Sequence, residues 1–62
     1  MKWKIHIRVD DIGWEFYSDN CEEVLAAGFI ALERIGSGRK EVSVFCSCDG
    51  QNWNVHSFWV LS

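Results

Sequence analysis

From Lys2 to Asp10 apolar and polar positions alternate, with Trp3, Ile5, Ile7 and Val9 on one side and Lys2, Lys4, His6 and Arg8 on the other. A period of two is the signature of a half-buried strand. Asp10, Asp11, Ile12 and Gly13 read as a four-residue turn in which Gly13 supplies a positive φ, and Trp14 to Ser18 as the returning strand. In that register Val9 faces Trp14, Ile7 faces Phe16 and Ile5 faces Ser18, so the two strands share an apolar face. The other face pairs Arg8 with Glu15, His6 with Tyr17 and Lys4 with Asp19, which neutralises part of its basic stripe.

After Ser18 the period becomes helical. Ser18, Asp19 and Asn20 offer N-caps, and Glu22 and Glu23 follow where a capping box and the positive end of the helix dipole favour acids. The helix is predicted to run to about Ile35, with Arg34 in its last turn and Gly36 as the stop. Cys21, Val24, Leu25, Gly28, Ala31, Leu32 and Ile35 fall on one face, and Glu22, Glu23, Ala26, Ile30 and Glu33 lie away from it. Gly28 costs about 1 kcal/mol of helix propensity relative to Ala, and the predicted return is room for a tryptophan from the sheet.

A loop from Gly36 to Lys40 leads into a second alternating segment, Glu41 to Cys48. Asp49-Gly50 is a two-residue hairpin signal before Gln51 to Leu61. That turn sets Cys46 against Trp53, Val44 against Val55 and Val42 against Ser57, and all four tryptophans point to the helix-covered face. The uncovered face then carries Ser43, Phe45, Ser47, Asn54, His56, Phe58 and Val60, beside Lys2, Lys4, His6, Arg8, Glu15 and Tyr17. The predicted architecture is α+β: a ββαββ chain, residues 1–62 as a single domain, forming a four-stranded, mainly antiparallel sheet in the order 2-1-3-4 with one helix packed on one face.

Length changes the picture by limiting the core. For 62 residues the gain from apolar burial and the entropy cost of ordering the chain are each on the order of 90 kcal/mol, so such a domain gains from a partner or a second copy of itself. Disulfides are a poor staple here, because three cysteines are an odd number and Cys46 and Cys48 are too close to close a loop. No apolar run reaches membrane-spanning length and the first residues alternate, so the expected setting is the cytoplasm, with no membrane partner. A net charge of −3 argues against a general polyanion binder but leaves a local basic face open.

Candidate chemistry is sparse. Cys21, Cys46 and Cys48 read as small packed side chains, with His6 and His56 on the opposite face by parity, so no metal site is expected and no cofactor. His6 and His56 beside Tyr17 and Glu15 could exchange protons, but a flat sheet face lacks the concavity of an active site, and the chain is not expected to be an enzyme. Tyr17, Phe45, His56 and Phe58, rimmed by Lys4, His6 and Arg8, have the make-up of a protein-binding face. The expected partner is a protein or a second copy in a homodimer. The same basic strand interleaved with aromatics supports an alternative, a single-stranded nucleic-acid-binding sheet. The helix outer face, with Ala26 and Ile30 among acids, is a rival surface.

In size and order of elements, an extended hairpin, an acid-capped helix and further strands, the chain resembles small accessory proteins of phages and mobile elements that block host enzymes, anti-CRISPR proteins among them. The resemblance implies a stoichiometric inhibitor or adaptor and carries no functional residue across.

Overall fold

The computed structural model describes residues 1–36 and 38–61. Four strands and one helix follow in the order β1 (Lys2–Val9), β2 (Ile12–Ser18), α1 (Cys21–Ile35), β3 (Arg39–Ser47) and β4 (Asn54–Leu61). All neighbouring strands are antiparallel and the sheet order is β2-β1-β3-β4, the order expected.

Each element starts and stops for a local reason. The Asn20 side chain caps α1, its Oδ1 accepting from the N–H groups of Glu22 at 2.8 Å and Glu23 at 3.3 Å. Ser18 Oγ adds a second tie by donating to Glu23 Oε2 at 2.7 Å. The helix stops at Gly36, whose φ of 86° lies in the left-handed region open to glycine. The loop expected from Gly36 to Lys40 is shorter than predicted because β3 begins at Arg39; Ser37 lies outside the described residues.

Both hairpins depart from the predicted register, with different consequences. In the first, Asp10 takes φ 53° and the loop shrinks to Asp10 and Asp11, so Val9 pairs with Ile12, Ile7 with Trp14 and Ile5 with Phe16. The shift is two residues, an even number, and every side chain keeps its face. Gly13 therefore sits in β2, where its missing side chain admits His6: a Cβ there would lie 2.8 Å from the imidazole Nε2.

In the second hairpin Asp49 does not form a two-residue turn. Its Oδ1 accepts from the N–H groups of Gln51 at 2.8 Å and Asn52 at 2.9 Å and from Ser47 Oγ at 3.0 Å, which organises a longer loop from Cys48 to Trp53. Cys46 then pairs with Asn54, Val44 with His56 and Val42 with Phe58. This slip is one residue, so β4 is turned over relative to the prediction.

The core is small: Ile5, Ile7, Val24, Ala31 and Val42 are its buried apolar residues. The backbone of α1 approaches β1 and β2 and not β3 or β4. A helix about 10 Å across spans about two strands at ~4.8 Å spacing, so its backbone lies over half of a four-stranded sheet, while side-chain packing extends the core to Val42 of β3. Gly28 lies at the closest approach and makes room for Ile5 rather than for a tryptophan, since a Cβ there would stand 2.5 Å from Ile5 Cδ1.

Candidate binding face

One whole face of the sheet lies opposite α1. Strand parity gives it Lys2, Lys4, His6 and Arg8 from β1, Glu15 and Tyr17 from β2, Arg39, Glu41, Ser43 and Phe45 from β3, and Val55, Ser57, Trp59 and Leu61 from β4. Of the expected site residues, Lys4, His6, Arg8, Tyr17 and Phe45 are together here.

His56 and Phe58 are not. The one-residue slip of β4 puts them on the helix side, 5.8 Å apart between ring centroids and opposite Val44 and Val42. In their place the open face gains Val55, Trp59 and Leu61, and the Cys48–Trp53 loop brings in Trp53. The expectation that all four tryptophans lie under the helix is thus corrected: Trp3 and Trp14 are on that side, and Trp53 and Trp59 are not.

The geometry at the centre is a lysine among rings. Lys4 Nζ lies 4.2 Å from the Phe45 ring centroid, 5.6 Å from that of Tyr17 and 5.7 Å from that of Trp53. Phe45 and Trp53 meet edge to face at 6.4 Å. A second cation, Arg39, stacks 4.0 Å from the Trp59 ring. These contacts hold flexible cations and rigid rings in one layer.

Acids on the face are few and engaged. Glu15 accepts from Tyr17 Oη at 2.7 Å, and this hydrogen bond, with some desolvation and the carboxylate charge, raises the phenol above its ordinary pKa. Glu41 stands 3.6 Å from Arg8 in an exposed pair that adds little stability. Ser43 and Ser57 join hydroxyls at 2.8 Å between β3 and β4. The face holds four of the six Lys and Arg residues but only two of the nine Asp and Glu, so it is positive on a chain of net charge −3. Strand parity already shows most of this segregation in the sequence; Arg39, expected in a loop, joins the face because β3 begins there.

On the helix side a cleft of about 530 Å³ opens between the β1–β2 hairpin and α1, lined by Ile12, Trp14, Phe16, Ala27 and Ile30 among others. The molecule therefore has a concavity that a bare sheet was not expected to offer. Its wall is apolar apart from Asp10 and Arg34, with no nucleophile or histidine in it. The cysteines are free, Cys21 and Cys46 half-buried and Cys48 exposed, so Cys48 is not the packed residue predicted from the strand pattern. Among the described residues no group of three metal-ligating side chains converges, and no helix is long and apolar enough to cross a membrane.

These features define a small ββαββ domain with a basic, aromatic, uncovered sheet face. No protein-family model matches the chain, and no curated protein or solved structure is significantly similar to it.

Proposed function

We propose that the chain is a small non-enzymatic binding protein that presents its open sheet face to an acidic surface of a protein partner. The observation that carries the reading is the cluster of Lys4 with Phe45, Tyr17 and Trp53, extended by Arg39 on Trp59, on the one positive face of an acidic molecule. Aromatic residues and arginine are enriched at the centres of protein interfaces, and rings order at small entropic cost. Such a protein acts by occupancy, as a stoichiometric inhibitor or adaptor, in keeping with its resemblance in plan to phage accessory blockers. A reducing, cytoplasmic setting suits three cysteines that form no bridge.

A second reading has its own support. Rings on β2, β3, the Cys48–Trp53 loop and β4 with cations between them are also the parts of a single-stranded nucleic-acid platform. Glu15 and Glu41 stand among the cations on a chain of net charge −3, which weakens attraction to a phosphate backbone and favours the protein partner.

Affinity capture with the intact chain, with and without nuclease, separates the two. A protein retained after nuclease, and weakened by about 2 kcal/mol or more with Phe45→Glu, is the expected result. Ile30→Glu on α1, at the helix-side cleft and away from the open face, should leave it bound. Loss of every partner after nuclease, with Lys4→Glu and Arg8→Glu abolishing a salt-sensitive interaction, would transfer the function to nucleic acid.

A further inference from the structure

β4 is an edge strand without the usual defences. Its eight residues, Asn54–Leu61, contain no charged side chain and no proline. Its pairing with β3 runs unbroken from Asn54 opposite Cys46 to Leu61 opposite Arg39, so no bulge turns the edge away. Natural edges are kept short, charged, bulged or covered because their unpaired N–H and C=O groups template another strand. The opposite edge, β2, carries Glu15 and lies beside α1, whereas α1 does not reach β4. Apolar side chains are exposed on both sides of β4: Phe58 at 42% on the helix side, Val55 at 57% and Trp59 at 53% on the open face.

We infer that β4 pairs with β4 of a second copy, antiparallel about a two-fold axis normal to the sheet, joining two four-stranded sheets into one of eight. That axis keeps each face continuous across the seam. A register centred on Ser57 sets Val55 against the partner's Trp59 and His56 against the partner's Phe58, so ring and aliphatic groups meet on both faces. A self-complementary strand is what an isologous contact requires. Because the strand has no Asp, Glu, Lys or Arg, pairing brings none of the chain's acids together within it even though each chain carries −3.

Area points the same way. The chain exposes 4459 Å², against about 4,100 Å² for a compact monomer of its mass. Covering the β4 edge and its exposed side chains removes roughly 500 Å² per copy, the lower end of specific interfaces, to which the backbone ladder adds. The Lys4, Tyr17 and Phe45 cluster lies on β1, β2 and β3 and stays clear of the seam, with Trp59 alone shared between the two surfaces, so the inference does not depend on the binding role of the open face.

Sedimentation equilibrium of the intact chain from micromolar to millimolar concentration tests it, with amide hydrogen exchange followed by NMR at both ends. The expected result is a monomer–dimer equilibrium in which the alternate β4 amides pointing away from β3 exchange at least tenfold more slowly at high concentration. Phe58→Lys should stay folded by circular dichroism and weaken the dimer tenfold or more, while Phe45→Glu leaves it intact and affects only partner binding. A chain that sediments as a monomer throughout overturns the pairing, as does a dimer whose β4 amides exchange at the monomer rate. Should Phe58→Lys unfold, the wild-type exchange pattern alone decides.

Discussion

Gly28 is where α1 comes closest to the sheet, and its missing methyl sets the helix-to-sheet distance. Alanine would gain about 1 kcal/mol of helix propensity but drive a Cβ into Ile5 Cδ1, and overpacking a core costs about 1–3 kcal/mol. Ile5 is 3% exposed and has nowhere to move, so Gly28→Ala is expected to destabilise by about 1 kcal/mol in urea unfolding. In an Ile5→Val background, which removes Cδ1, the same change should be neutral or stabilising; an unchanged penalty would place the conflict elsewhere. Asp49 offers a second test. Hydrogen bonds from the backbone N–H groups of Asn52 and Gln51, then from the side chains of Asn52 and Ser47, hold its carboxyl well below the usual carboxylate range. A depressed folded-state pKa contributes stability above the unfolded value and loses it as pH falls through the folded one. Asp49→Asn should therefore lower the melting temperature at neutral pH, and the gap to wild type should narrow in strong acid. A gap independent of pH would contradict the charge-assisted loop. At this scale the Asn20 cap and the Gly36 stop were legible in sequence because they depend on neighbours along the chain. The reason for Gly28 was not, because its partner Ile5 is distant in sequence.

Among the elements, the two hairpins show why strand patterns are easier to read than registers. Alternation in β1, β2 and β3 announces the strands and their faces and connectivity gives the two hairpins, whereas the meeting of β1 with β3 that yields β2-β1-β3-β4 is settled only by the structure. Turn chemistry sets the register, and here it involves unlike residues: Asp10 takes a positive φ where Gly13 was the obvious candidate, and Asp49 captures four donors where Asp-Gly signals a tight turn. The first shift was even and left the site intact. The second was odd, exchanging His56 and Phe58 for Val55, Trp59 and Leu61 on the open face. Nuclear Overhauser contacts between opposed backbones check this directly. Phe45 should connect to Val55 and Ser43 to Ser57, whereas the tight-turn register would connect Val44 to Val55 and Val42 to Ser57.

For the whole molecule the controlling fact is that one helix covers half of one side of a four-stranded sheet, leaving a full face and an edge strand unoccupied. Charge is sorted along the same division. The open face is positive, while Glu22, Glu23 and Glu33 lie on α1 and Asp10 and Asp11 in the β1–β2 turn. Opposite potentials on opposite sides orient an approaching partner, and steering of this kind weakens with salt. A partner that engages the open face should accordingly associate more slowly at high ionic strength with little change in its dissociation rate. The most direct measurement is hydroxyl-radical footprinting of the chain with and without its nuclease-resistant protein partner, because oxidation reports each exposed ring separately. Tyr17, largely exposed in the free chain and remote from β4, should become protected, while Phe29 and Ile30 on α1 oxidise as before. Protection of Phe29 and Ile30 with Tyr17 unchanged would place the working surface on the helix and contradict the account.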